Sequence, residues 1–266
     1  MLTRNLQLEK VRATLLEAAR AAENITLPIF RSGSAVDNKE DGGFDPVTRA
    51  DKDAELAIRE VVENNFPEHN IIGEEHDNKV TDSDFSWIID PIDGTRAFIS
   101  GLPVWGTLIG LAYQGKTIAG LMSQPFTGEI YLGVEGAATL LRAGEKDVCL
   151  SVSKVRTLEK ATLFTTSPKL FAGQQGEDFT RLENRVRLSR YGCDCYAYCL
   201  LAAGHIDLVV ENKLNIYDIA ALIPIIEYGG GKVTTFEGGA PDGGGDIVAA
   251  ATPELHRQAL EIMGSK

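Results

Sequence analysis

A chain of 266 residues, 44% hydrophobic and 24% charged, has globular composition and length for a substantial core in one large domain or two modest ones. Its 26 basic and 38 acidic residues leave a net charge of −12, which argues against a nucleic-acid partner, because phosphate-backbone binding draws on clustered Lys and Arg. A small phosphorylated ligand stays open, since a divalent cation reverses the field of an acidic cleft.

In chain order, Leu8, Val11, Leu15, Ala18 and Ala19 recur at helical spacing and predict an amphipathic helix from about residue 4 to 22. Its acidic residues set it apart from a signal peptide, and no apolar run is long enough to span a bilayer, so a cytoplasmic protein with no membrane partner is expected. "SGSAVDNKEDGGFDP" is a loop by its Gly, Asp and Pro content. A second helix restarts in "VTRADKDAELAIREVVENNF", with Thr48 and Asp51 in its opening turns and Pro67 after its end. Two short apolar runs follow, "NIIGEE" and "WIID", both of strand length and both ending in carboxylates.

Residues 104–134 carry three consecutive strand-like runs joined by "QGK" and "FTG" turns, the pattern of an antiparallel meander. After about residue 150 strands and helices alternate. "ATLFTT", "IDLVVE", "KVTTF" and "DIVAAA" read as strands; "CYAYCLLAAG", "DIAALIPIIEYGGG" and "PELHRQALEIM" read as helices. The expected organisation is therefore an N-terminal α+β domain over 1–150 and a C-terminal α/β domain over 151–266. Cys149, Cys193, Cys195 and Cys199 lack the second ligand pair of a structural zinc site. Cys195 and Cys199 lie one helical turn apart, which suits reduced core cysteines.

The carboxylates form the informative pattern. Glu74 and Glu75 end one strand, Asp90 and Asp93 bracket the exit of the next, and Asp51 and Asp218 open helices. Crowded carboxylates repel one another and protonate unless a cation compensates them, and an all-oxygen donor set without histidine favours Mg²⁺ or Mn²⁺ over zinc. Pro91 fixes the turn between the aspartates, which turns the Ile92 carbonyl toward the same ion. The amides of Gly94 and Thr95, at a helix start, suit phosphate oxygens. Two Mg²⁺ ions about 4 Å apart would clamp the attacking and leaving oxygens of a phosphoryl transfer. The plainer alternative makes these acids helix caps and solvated turn residues.

The sequence resembles the inositol monophosphatase superfamily of Mg²⁺-dependent phosphatases, through "DPVTRAD" ending at Asp51, "IIGEE", "WIIDPIDGT", and "YDIAALIPIIEYGGG" with Asp218 followed by Gly230-Gly231. The resemblance runs nearly end to end and implies a layered αβαβα sandwich, commonly a homodimer. It implies Glu74, Asp90, the Ile92 carbonyl, Asp93 and Asp218 as ligands of two or three Mg²⁺ ions, with Mn²⁺ as a substitute. Asp51 and Thr95, with Glu74 holding a metal beside them, would orient and deprotonate the attacking water. Gly94 and Thr95 would hold the phosphate. Tyr217 stands where the family usually has tryptophan. Asp194 takes the place of a small apolar residue of the inositol enzymes, while Glu211 aligns with their polyol-contacting glutamate. Two acids beyond the metal site suit a cationic alcohol, so with "GTRAFISGLPVWGTLIGL" the chain looks most like the histidinol-phosphate phosphatase branch. An inositol-1-monophosphatase or a broad-specificity phosphatase is the alternative, and a catalytically dead metal-binding regulatory protein is a more remote one. Asp194 as a plain helix cap is the bland reading of that residue.

"GLAYQGKT" fits the P-loop pattern, but strand-like text flanks it on both sides and "QGKT" reads as a hairpin turn. His69, His76, His205 and His256 are scattered without triad partners; His69 and His76 are expected at the surface.

Overall fold

The computed structural model of the chain describes residues 2–32, 36–38 and 46–264. Most of the expected 32–46 loop, apart from two short paired strands, β1 (Val36–Asn38) and β2 (Pro46–Thr48), lies outside the described residues. Helix α1 (Leu2–Ile29) buries Val11, Leu15, Ala18, Ala19 and Ala22 along one stripe. It runs past the expected end near residue 22 because buried Ala22 and Thr26 extend that stripe, the Thr26 hydroxyl donating to the Ala22 carbonyl at 3.0 Å. Helix α2 (Arg49–Asn65) packs Ala54, Ile58 and Val62 into the same core.

Both helices cover one face of a seven-stranded sheet. Its spatial order is β3 (Asn70–Gly73), β4 (Phe85–Asp93), β5 (Gly106–Tyr113), β6 (Lys116–Gln124), β7 (Glu129–Val134), β8 (Ala137–Arg142) and β9 (Val148–Cys149). Within this sheet β3 and β4 pair parallel and the other neighbours antiparallel; β5–β7 are the meander expected over residues 104–134, and β8 and β9 extend it. The β5–β6 turn places Gln114 at φ 50° and Gly115 at φ 78°, with Tyr113 opposite Lys116. Two central residues at positive φ make a two-residue hairpin turn, not the strand-to-helix loop that a nucleotide triphosphate needs.

A second sheet of five strands has the order β11 (Leu188–Tyr191), β10 (Thr162–Thr165), β12 (Leu208–Leu214), β14 (Gly245–Ala250) and β13 (Lys232–Thr235). Between the sheets, after the short α3 (Thr95–Ile99) that follows β4, lie α5 (Asp194–Ala202), α6 (Ile216–Ile219) and α7 (Leu222–Tyr228). Helices α4 (Gln174–Glu183) and α8 (Pro253–Met263) close the far face. The layers are thus α, β, α, β, α, each apolar face buried against the next.

The helix expected from Asp218 onward is broken between α6 and α7, at Ala220–Ala221. That junction lies on glycines. Gly110, Gly120 and Gly133 are direct register partners across β5, β6 and β7. A Cβ on Gly120 would stand 2.0 Å from the Ala221 carbonyl oxygen, and one on Gly133 2.6 Å from the Ile225 amide nitrogen. Backbone therefore rests on backbone, and the depth at which α6 sits above the sheet is fixed by the missing side chains.

His69 departs from its surface expectation. It is 9% exposed, stacked between Phe66 and Phe85, and its Nδ1 accepts from Trp87 Nε1 at 3.1 Å. Burial, with Lys10 and Lys79 nearby, lowers its pKa and favours the neutral ring that this bond requires. His76 is half-buried, not fully exposed. The four cysteines are free, and Cys195 and Cys199 are buried as expected.

Candidate active site

Asp90 and Asp93 are three residues apart, an odd separation that in a regular strand would point them to opposite faces. A bulge restores them to one side. Asp90 registers with Leu108 and Asp93 with Gly106, so three steps on β4 oppose two on β5. Pro91 sits inside the bulge, where its missing N–H removes no ladder bond, and its carbonyl accepts from the buried Thr107 hydroxyl at 2.8 Å. The Ile92 amide donates to Asp90 Oδ1 at 3.1 Å, and the Ile92 carbonyl accepts from Thr95 Oγ1 at 3.2 Å.

Asp218 arrives from the opposite layer. Asp90, Asp93 and Asp218 each place a carboxylate oxygen within 4.8 Å of the others. Asp218 also belongs to a capping box: its Oδ2 accepts from the Asn215 amide at 2.6 Å. The capping alternative therefore holds for Asp218, whose carboxyl group also reaches the cluster; Asp51 and Asp90 are buried, not solvated turn residues. Glu74, just past the end of β3, lines the cavity beside Asp90; Glu75 is not among the lining residues. Asp51, 1% exposed on α2, is not among the lining residues, although its charge acts on Asp90.

Burial pushes the Asp90 carboxyl well above the carboxylate range, with Glu74, Asp93, Asp218 and Asp51 all raising it further. Asp93 rises for the same first reason, burial, with Asp194 and Asp218 adding to it. Asp218 is pushed up to about 6, by burial against the opposing Asn215 bonds. Such a set of oxygens is unstable as free anions and fits a hard divalent cation. Among the described residues the cluster is made of carboxylates alone, which sets it apart from a zinc site.

The cavity, about 410 Å³, continues from this cluster to a second acidic wall. Gly94 has φ 83°, in the left-handed region that favours glycine, and a Cβ there would meet Asp194 Oδ2 at 3.0 Å. Asp194 itself has φ 43°, a strained value for a residue with a side chain. Its carboxylate accepts from Thr166 Oγ1 at 3.2 Å, while the N-cap of α5 is Cys193, with no side-chain capping bond. Burial raises the Asp194 carboxyl, against the Thr166 bond and the nearby Arg96.

Glu211, 3% exposed on β12, accepts from the Thr166 amide at 2.6 Å and from Thr165 Oγ1 at 3.4 Å. One residue, Thr166, thus bonds both acids, through its hydroxyl and through its amide. Burial pushes Glu211 up to about 8 despite those bonds, with Asp194 adding to the rise. The two walls are tied together by α5, whose Cys195 amide donates to Asp93 Oδ2 at 2.7 Å.

Thr166 and Tyr198 belong to this site and were not foreseen from the sequence. Tyr198 lines the cavity, and its buried hydroxyl has no hydrogen-bond partner among the described residues. Its four-residue spacing from Asp194 was a readable signal, because that spacing puts both on one helix face. Thr166 gave none: its contacts depend on the pairing of β10 with β12.

Comparison with known proteins places this geometry. The chain matches the inositol monophosphatase family over residues 7–265. It belongs to that family. Family enzymes are phosphatases that use Mg²⁺, in keeping with the all-oxygen cluster. It is 39% identical to the bifunctional phosphatase IMPL2, chloroplastic, of Arabidopsis thaliana, covering 97% of this chain and 76% of that one. It is 32% identical to a histidinol-phosphatase of Chlorobaculum parvum, over 94% of this chain and 95% of the relative. The solved inositol monophosphatase of Zymomonas mobilis superposes with a TM-score of 0.85 at 36% identity, over 97% of this chain and 98% of the other. No helix among the described residues is long and apolar enough to cross a membrane.

Proposed function

We propose that this family member hydrolyses histidinol phosphate to histidinol and inorganic phosphate. The observation that carries the substrate is the pair of carboxylates, half-buried Asp194 and buried Glu211, that Thr166 bonds in the same cavity as the aspartate cluster. Neighbouring acids whose charged forms burial disfavours suit a ligand that brings its own positive charge. Histidinol phosphate offers an ammonium and an imidazole for those two positions. The 32% likeness to a histidinol-phosphatase supports the reading.

Glu74, Asp90, Asp93, Asp218 and the Ile92 carbonyl would hold Mg²⁺. When bound, Mg²⁺ supplies Lewis-acid stabilisation of charge on the phosphoryl oxygens. The amides of Gly94 and Thr95 hold the phosphate against the start of α3. The Thr95 hydroxyl, which lines the cavity, would orient the attacking water, and Asp51, buried near the cluster, would take up its proton by way of that hydroxyl. The P–O ester bond breaks in line, and a second water gives its proton to the departing alkoxide, which leaves as the alcohol. Asp194 and Glu211 fix the amine end of the substrate, which sets the ester oxygen opposite the incoming water.

Asp194→Asn tests the substrate. The asparagine keeps an oxygen for Thr166 and loses only the charge. Catalytic efficiency on histidinol phosphate should fall at least about tenfold, the scale of one charged hydrogen bond, while p-nitrophenyl phosphate is spared. Equal efficiency on histidinol phosphate would leave Asp194 as a structural residue. The likeness to the Zymomonas inositol monophosphatase favours a second reading, in which inositol 1-phosphate is the better substrate; a wild-type preference for that ester would establish it.

A further inference from the structure

Glu55 lies one helical turn after Asp51 on α2, and none of its surface is exposed. Its Oε1 pairs with Arg59 Nε at 2.7 Å, and its Oε2 accepts from the Glu75 amide at 2.7 Å. Arg59 Nη2 donates onward to the His76 carbonyl at 3.2 Å, and the His76 ring meets the Lys52 carbonyl at 3.0 Å. Three positions on α2 therefore grip the segment that follows β3. Gly73 makes room for the grip: a Cβ there would stand 2.0 Å from Glu55 Oε1. Glu74 is the residue in the middle of this segment, and it lines the cavity.

A buried ion pair is weak evidence for stability, because desolvating both charges offsets most of their attraction. Position is a better account of this one. We infer that Glu55, held by Arg59, is a positioning residue that fixes Glu74 against Asp90 and so sets the affinity of the cluster for Mg²⁺. The inference rests on the reading of Glu74 as a metal ligand. Residues that orient ligands from behind typically change metal affinity about 10–100-fold when removed. The same helix carries Asp51, so α2 registers both residues with one rigid element.

The test is calorimetric titration of Mg²⁺ into the wild type, Glu55→Gln and Arg59→Lys, with unfolding midpoints measured in EDTA. Glutamine fills the same volume, but its single oxygen cannot accept from both Arg59 and the Glu75 amide. Glu55→Gln should weaken Mg²⁺ binding about tenfold or more, and phosphatase activity should recover at saturating Mg²⁺. Arg59→Lys keeps Glu55 charged but loses the bond to His76, and should weaken binding about threefold, less than the range for a fully removed partner. A folded Glu55→Gln with wild-type Mg²⁺ affinity overturns the inference, as does a loss of activity that saturating Mg²⁺ does not restore. Should Glu55→Gln fail to fold, unchanged affinity in Arg59→Lys overturns it instead. A wild type that binds no Mg²⁺ would overturn the metal reading together with this one, a result distinct from any variant outcome.

Discussion

Gly120→Ala probes the seat on which Asp218 depends. The added Cβ would lie 2.0 Å from the oxygen, 2.7 Å from the carbon and 2.8 Å from the Cα of Ala221, all backbone atoms. An ordinary carbon–oxygen contact is about 3.3 Å, so β6 and the α6–α7 junction must separate by about 1.3 Å. Overpacking of a rigid core costs about 1–3 kcal/mol, and a backbone obstacle places this substitution at the upper end. A loss of about 3 kcal/mol corresponds to a fall of about 6–12 °C in a chain of this size. Asp218 precedes the junction by two residues, so the same displacement carries its carboxylate away from Asp90 and Asp93. Calorimetric unfolding in EDTA reads the first effect, and Mg²⁺ titration reads the second. Gly243→Ala is the control, because a Cβ there meets nothing within 4 Å. If Gly120→Ala unfolds within about 0.5 kcal/mol of that control and binds Mg²⁺ equally well, the glycine seat does not set the position of Asp218.

The carboxylate cluster should exchange stability for metal binding. Asp218→Asn keeps an oxygen for the Asn215 amide and removes one of the crowded charges, so its unfolding midpoint in EDTA should rise while Mg²⁺ no longer raises it further; a lower midpoint in EDTA would contradict the repulsion. His256, buried against Thr234, has its pKa lowered by burial to about 4, with Lys232 contributing. Its folded value lies below its unfolded value of about 6.5, so the stability held above pH 6.5 is lost as pH falls toward 4, roughly 2 kcal/mol of it by pH 5. Urea midpoints for wild type and His256→Gln should converge over that window; a constant gap would refute the assignment. Trp87→Phe should cost about 1 kcal/mol through the lost bond to His69, read as a lower urea midpoint at pH 7.

The metal-type acids were legible because each sits in a short, ordered motif. "WIIDPIDGT" announces both aspartates, and the bulge that turns them to one side could be suspected from Pro91 within the run. Residues whose role arises only from pairing were not legible. Gly110, Gly120 and Gly133 look like unrelated strand glycines until the register of β5, β6 and β7 brings them into line. The break between α6 and α7 was readable from Pro224, which has no N–H to give the Ala220 carbonyl; helical periodicity alone passes over it. His69 looked exposed because polarity was weighed without the aromatic cage of Phe66, Phe85 and Trp87. Glu55 is, in sequence, one more acid on a charged helix, since its place against Gly73 depends on another element.

An aspartate cluster suited to Mg²⁺ and a paired acidic wall would together select histidinol phosphate. The most direct test is kcat/KM for histidinol phosphate and inositol 1-phosphate, measured with Mg²⁺, with chelator, and after Mg²⁺ is restored. Histidinol phosphate should be preferred by at least about tenfold, equivalent to one charged contact, with both activities lost to the chelator and regained with the metal. Equal efficiencies, a preference for the inositol ester, or hydrolysis that survives the chelator would contradict it.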